Sequence, residues 1–315
     1  MDNYPQVTRD DVLAAQSRIS GAVERTPLID ARIRGERVWL KAECLQTGGS
    51  FKLRGATNRL MQLDAEERKR GVVAFSSGNH AQGVAIAAKR LGIPAIIVMP
   101  SDAPAKKVEG TRAQGAEIIF YDRLTESREG LAAQLAAEKG SVVVPSFDDP
   151  EIVAGQGTVG LDILEQLGAS PAQILVNCGG GGLSSGIALA CPVAKLIPVE
   201  PEGWDDMRRS LELGEIVPVG PNPPPTLCDA IQTLKVSPIT FGILKERGAT
   251  GLAVSEDETA AAVRWAWHEH GLVVEPGAAV SIAALLAGKA EILPETIAVV
   301  SGGNIDPALH ARLVA

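Results

Sequence analysis

The chain is short of aromatic residues, cysteine and positive charge, and each shortage removes a class of function. Aromatic side chains are 3% of the 315 residues, too few for the stacking platforms that hold single-stranded nucleic acid. The formal net charge of -8 also argues against a polyanionic partner. Four cysteines, Cys44, Cys178, Cys191 and Cys228, lie scattered, with no CxxC pair and no metal-ligand spacing to histidine. Free thiols in a reducing cytosol are therefore expected. No apolar run approaches the length of a membrane span. The opening MDNYPQVTRDD has neither the basic nor the apolar region of a secretion signal, so a cytoplasmic protein is expected.

What is present is an alternation of short apolar runs with helical patterns. Helices are predicted at 8–23, 50–63, 79–91, 104–114 and 125–139, with strands at 38–42, 72–75, 95–99, 117–121 and 142–144. A second series follows: helices at 151–167, 183–190, 204–213, 257–270 and 277–286, and strands at 174–178, 195–199 and 296–301. Thr8 with Asp11 reads as a capping box for the first helix, and the proline-rich stretch 218–225 reads as a loop. Such alternation predicts an α/β fold of two lobes, each a twisted, mostly parallel sheet flanked by helices, with a site between them.

Four segments carry chemistry. Lys52, in SFKLRGA (50–56), stands beside an aromatic residue among small neighbours. Desolvation there would make its amine a nucleophile near neutral pH, although most lysines are simply solvated. Ser76, Ser77, Gly78, Asn79 and His80 follow an apolar strand and precede a helix. Ligands bind at such strand ends, and simple helix capping competes as an explanation. Gly179, Gly180, Gly181 and Gly182, followed by Leu183, let several backbone N–H groups converge on a phosphate. They do not form G-x-G-x-x-G, because the sixth position is Ser184, and this weighs against a nicotinamide oxidoreductase. Ser301-Gly302-Gly303-Asn304 closes the last strand, as a turn or as another ligand contact.

In this order, SFKLRGA, SSGNHAQGVA, GGGGL and SGGN resemble fold type II pyridoxal-phosphate enzymes, of the tryptophan synthase β-like fold. The branch they resemble holds serine/threonine dehydratases, serine racemases and 3-hydroxyaspartate dehydratases. LGIPAIIVMP (91–100), VAGQGT (153–158) and VEPGA (274–278) extend the resemblance along nearly the whole chain. It implies that Lys52 carries pyridoxal 5'-phosphate as a Schiff base and moves the α-proton. Phe51 would flank the ring, Asn79 would bond its 3-hydroxyl, Gly179–Gly182 with Leu183 would hold the phosphate, and Ser301 would meet the pyridine nitrogen. The Ser76–His80 segment would take the substrate carboxylate. Residues 1–50 and 148–315 would form a large cofactor domain and 51–147 a small mobile domain, in a homodimer.

The implied reaction is β-elimination from 3-hydroxyaspartate, threonine or serine, giving a 2-oxo acid and ammonia, the work of an ammonia-lyase. The alternative is an amino-acid racemase with side elimination activity, and a non-catalytic amino-acid sensor is disfavoured by retention of Lys52, Asn79 and Ser301. Ser77 matches the SSGNH of the racemases and hydroxyaspartate enzymes, where it would act as acid/base on the second face, unless it only stabilises a loop. Glu200, the Trp204 carbonyl and Asp206 resemble that branch's divalent-cation site, suited to Mg²⁺ with Ca²⁺ or Mn²⁺ as alternatives. An acidic helix start is the competing explanation. Arg128, in LTESRE (124–129), would bind a second substrate carboxylate through its planar fork, or else pair with a glutamate on a solvated helix.

Overall fold

The computed structural model describes residues 6–76, 78–103, 105–122 and 125–315, and side chains at all of these except 105 and 106. In chain order the elements are α1 (Arg9–Ile19), β1 (Leu28–Ile33), β2 (Glu36–Ala42), α2 (Lys52–Met61), α3 (Ala65–Arg70), β3 (Val72–Phe75) and α4 (Asn79–Leu91). Next come β4 (Ala95–Pro100), α5 (Ala105–Arg112), β5 (Glu117–Tyr121), α6 (Arg128–Lys139), β6 (Val142–Val143), α7 (Pro150–Leu167), β7 (Gln173–Asn177) and α8 (Gly182–Ala190). The last are β8 (Lys195–Pro201), α9 (Asp206–Leu213), α10 (Pro238–Glu246), β9 (Leu252–Val254), α11 (Glu256–His270), α12 (Pro276–Leu286), β10 (Thr296–Val300) and α13 (Pro307–Val314).

Two sheets result. One is six-stranded in the order β1-β2-β10-β7-β8-β9; the other is four-stranded in the order β5-β4-β3-β6. Every pairing is parallel except the β1–β2 hairpin at one edge. Strands β4, β7 and β10 are buried at every residue, as expected of strands covered by helices on both faces. Their continuous apolar runs follow from that.

Helix starts follow local chemistry. Thr8, Asp64, Ser237 and Ser255 each form a capping box, satisfying orphan N–H groups of the first turn. Most of the predicted elements stand within a few residues of their expected bounds. The expectation did not include β1, α3, β9, α10 or α13. Strand β1 is an edge strand with outward Asp30 and Arg32, and β9 is only three residues long. The alternating charges of β1 and the three-residue length of β9 hide both from a search for apolar runs; pairing with a neighbouring strand holds them in place.

Candidate active site

The site is built at the carboxyl ends of strands from both sheets. Lys52 begins α2; the chain entering it is tied to the end of β10 by Phe51 N–H, which donates to the Ser301 carbonyl at 3.1 Å. The Lys52 amine is buried and donates to the Ser146 carbonyl at 2.8 Å. Burial draws its pKa from 10.5 to about 8, because desolvation penalises the ammonium form and no carboxylate stands close enough to restore it.

Two adjoining cavities meet at Lys52. The smaller, about 70 Å³, is lined by Phe51, Lys52, Asn79, Gly179, Gly180, Gly181, Gly182, Leu183 and Ser301, with Phe147, Asn177 and Glu275 among their neighbours. The larger, about 430 Å³, is lined by Lys52, Ser76, Gly78, Asn79, His80 and Arg128, with Phe75, Lys107, Asp229 and Glu275. Residues more than 200 positions apart thus converge as the sequence motifs imply. Ser77 lies outside the described residues.

The glycine loop is a cradle with no room for side chains. A Cβ on Gly180 would stand 2.3 Å from the Phe147 ring, and Gly181 has φ +87 at the cap of α8. The Gly180 carbonyl is turned away from the cavity to accept from Thr240 Oγ1 at 2.8 Å. A nine-residue helix with no side-chain cap leaves its first N–H groups to an anion. At the end of β7, Asn177 buries both amide atoms without a partner, a cost of about 1–3 kcal/mol per group that a polar ligand would remove. This donor set fits a pyridoxal phosphate: an amine at one end, amides for a phosphate at the other, a hydroxyl and a carboxamide along the edge.

Asn79 is oriented from two sides. Its Nδ2 donates to Glu275 Oε1 at 2.5 Å, and its Oδ1 accepts from Asn304 Nδ2 at 2.7 Å. Glu275 lines both cavities, and burial raises its pKa to about 7. The sequence reading quoted it within VEPGA and gave it no role; its buried position just before α12 is visible only in the fold. His80 is committed elsewhere. Its Nε2 donates to the Val144 carbonyl at 2.8 Å, and burial, aided by the charge of Lys52, lowers its pKa to about 3. A neutral imidazole turned to the backbone is not free to offer that nitrogen to an anion in the cavity.

Arg128 lines the larger cavity from the first turn of α6, its guanidinium 5.8 Å from the centre of the Phe75 ring and 2.7 Å from Glu129 Oε1. The pairing with a neighbouring glutamate on an exposed helix start is thus observed, and the same side chain also lines the cavity. Lys107 of α5 faces Asp229 across the same cavity at 2.5 Å; neither was singled out from the sequence.

Glu200 and Asp206 lie away from these cavities. Glu200 at the end of β8 accepts from the N–H groups of Met207 and Arg208 at 3.0 and 2.8 Å, so it holds the start of α9. Asp206 Oδ2 accepts from Val236 N–H at 2.9 Å, while its Oδ1 is buried without a partner. Burial and the mutual charge push Glu200 well up; burial brings Asp206 to about 7. Trp204 sends its Nε1–H to the Pro224 carbonyl. Among the described residues no group of three or more His, Cys, Asp or Glu is placed to hold a metal. The orphaned Oδ1 beside a second buried carboxylate nonetheless suits a cation that also draws on carbonyl and water oxygens.

All four cysteines are unpaired and buried. Among the described residues no helix is long and apolar enough to cross a membrane.

Comparison with known proteins agrees with this geometry. The model of the family described as "Pyridoxal-phosphate dependent enzyme" matches residues 19–303. An L-threo-3-hydroxyaspartate ammonia-lyase of a Pseudomonas species is 43% identical, over 96% of this chain and 97% of the relative. The enzyme of the same name from Saccharomyces cerevisiae is 42% identical, over 98% of this chain and 96% of its own length. The structure of maize serine racemase superposes with a TM-score of 0.92 at 34% identity, covering 98% of this chain and 97% of that one. With a family match over most of its length and relatives above 40% identity from end to end, the chain belongs to the pyridoxal-phosphate-dependent enzymes.

Proposed function

We propose that the protein is an ammonia-lyase that converts L-threo-3-hydroxyaspartate to a 2-oxo acid and ammonia, with threonine and serine as poorer substrates. The observation that carries the choice of substrate is that Arg128 lines the same cavity as Lys52. A guanidinium there gives a second carboxylate a bidentate partner that the methyl of threonine or the hydrogen of serine at the same position cannot use. The ammonia-lyases of Pseudomonas and yeast named above support the same reading.

Pyridoxal phosphate, when bound, supplies an electron sink next to the substrate's α-carbon. Phe51, Asn79, the loop Gly179–Gly182 with Leu183, and Ser301 would hold it. A hydroxyl at Ser301, in place of a carboxylate, leaves the ring a weaker sink, which suits a substrate that carries its own leaving group. Lys52 would hold the cofactor covalently and, once displaced by the substrate's amine, would take the α-proton; with its pKa drawn to about 8, roughly half of the amine is neutral near pH 8. The main chain of 76–80 orients the α-carboxylate. Asn79, locked between Asn304 and Glu275, presents a donor to the cofactor edge.

Residues 51–147, which hold the four-stranded sheet, would move against 1–50 and 148–315 to admit substrate. Glu200, the Trp204 carbonyl and Asp206 would bind Mg²⁺, or Ca²⁺ or Mn²⁺ in its place. A homodimer in the cytoplasm completes the proposal. Serine racemization is the second reading, supported by Ser77 and by the maize structure.

The test is a substrate panel of the 3-hydroxyaspartate isomers, L-threonine and L- and D-serine, read by ammonia release and chiral analysis. Ammonia release should be fastest from L-threo-3-hydroxyaspartate. Loss of optical activity outpacing ammonia release would favour the racemase and sink the lyase.

A further inference from the structure

Lys52 and Arg54 are two residues apart on α2, so their side chains leave the helix about 200° apart around its axis. Lys52 faces the cavities; Arg54 enters the interior on the opposite side and is 2% exposed. There its guanidinium makes five hydrogen bonds. Nε and Nη2 form a fork on Glu43 at 2.9 and 2.8 Å, Nη2 meets Asp162 at 2.7 Å, and Nη1 reaches Thr158 Oγ1 at 3.2 Å. Nη2 also reaches the Glu24 carbonyl at 3.2 Å. Lys41, fully buried, stands 3.5 Å from Asp162 and 4.0 Å from Glu43 and donates to the Thr26 carbonyl at 2.7 Å. Two cations and two carboxylates balance in the interior.

Such a quartet is an expensive way to add stability, since four desolvated charges seldom repay their hydration better than apolar packing would. What it does provide is direction. Glu43 lies in the short turn after β2, Asp162 and Thr158 lie on α7, and Glu24 lies in the loop after α1. A planar fork bound to groups from three separate segments fixes both the depth and the rotation of the turn that carries it. The turn is also held by Gly55 N–H, which donates to Gln156 Oε1 at 3.1 Å, and by Leu53 buried in the core, but neither of these sets the rotation of the helix as a planar fork on charged partners does. Its cap residue, Phe51, offers no side-chain hydrogen bond. Further restraints are Phe51 N–H on the Ser301 carbonyl and the close approach of Gly83, where a Cβ would stand 3.0 Å from the Lys52 carbonyl carbon.

We infer that Arg54 is a positioning residue for Lys52: by anchoring the back of the first turn of α2 to Glu43 and Asp162, it sets where the Lys52 amine meets the cofactor and the substrate's α-carbon. The inference rests on Lys52 being the point of cofactor attachment.

Arg54→Met alone leaves a surplus buried carboxylate and invites unfolding, so it is paired with Glu43→Gln, which leaves Lys41 and Asp162 as a neutral couple. Apoproteins are mixed with pyridoxal phosphate, and the rate of covalent attachment is followed by visible absorbance and by borohydride fixation with mass spectrometry. In the folded double variant, attachment and kcat should both fall about 10- to 100-fold while KM changes little, the signature of a misplaced reactive group. Arg54→Lys, which keeps the charge but loses the fork, should recover part of the loss. Attachment and kcat within about twofold of the parent in the folded double variant would overturn the inference. If that variant does not fold, Arg54→Lys decides on the same two readouts: parental rates overturn the inference, and slowing at an unchanged melting temperature upholds it. Failure of the attachment reading itself is distinguishable, because Lys52→Ala would then still bind the cofactor covalently.

Discussion

At the scale of the residue, the chemistry depends on how few charges are left unbalanced inside the protein. The Lys52 amine has a carbonyl as its partner and no carboxylate, so burial leaves its pKa depressed. Lys41, fully buried, is also drawn down by burial, but Glu43 and Asp162 oppose that shift, and it lines neither cavity. Lys52→Ala should abolish covalent cofactor attachment and lower turnover by at least about 10³-fold; parental turnover in that variant would defeat the central claim. Covalent attachment to the apoprotein should accelerate with pH and level off above a midpoint near 8. The same group makes the apoprotein's stability rise with pH between about 8 and 10.5, because within that window the unfolded chain keeps a proton the folded chain has lost. A flat attachment rate from pH 7 to 9 would contradict the depressed amine. Arg128→Ala should reduce kcat/KM for 3-hydroxyaspartate by about 10- to 100-fold, the value of one charge-assisted fork. Serine turnover should change far less, and an equal loss on both substrates would remove Arg128 from recognition of the second carboxylate.

At the scale of the element, three of the cavity-lining segments, at Ser76, Gly179 and Ser301, follow the end of a strand, and those at Ser76 and Gly179 lead into a helix. The loop before α8 illustrates what this requires. Main-chain N–H groups can converge only if no side chain intervenes, and the Phe147 ring closes the loop from outside, 2.3 Å from where a Gly180 Cβ would stand. Gly180→Ala should therefore cost about 1–3 kcal/mol through overpacking and weaken cofactor affinity correspondingly, by roughly 5- to 150-fold. Equilibrium binding of pyridoxal phosphate measures this directly, and unchanged affinity would show that the loop does not hold the phosphate. The glycine run, SSGNH and SGGN were legible in the sequence because strand-end glycines and small polar residues have few other uses in such number. Glu275 was not, since a glutamate before Pro276 at a helix start is unremarkable until the fold buries it against Asn79.

At the scale of the whole molecule, two parallel sheets place their strand ends around one pair of cavities, with the Lys107–Asp229 pair spanning the larger. The Glu200–Asp206 region sits outside that arrangement, at the junction of β8 and α9. If a divalent cation binds there, millimolar Mg²⁺ should raise the melting temperature, by about 3 kcal/mol of stability at roughly a hundredfold excess over Kd. Asp206→Asn should lose this response while the cofactor spectrum is retained. A melting temperature indifferent to Mg²⁺, Ca²⁺ and Mn²⁺ would leave Glu200 as the anchor of a helix start and nothing more.

By itself the sequence determined the alternation of strand and helix and the identity of the motif residues, because apolar periodicity and glycine clusters are local properties of the chain. It could not decide which charges survive unpaired. Lys41, Lys52 and Arg54 lie within fourteen positions of one another, and only the tertiary structure gives two of them buried carboxylates and leaves the third a carbonyl. Compensation of charge is a long-range property: Asp162 and Ser146 are about a hundred residues from the groups they serve. That is why Lys52 could be proposed from the sequence, while its depressed pKa and the position of Arg54 behind it had to wait for the fold.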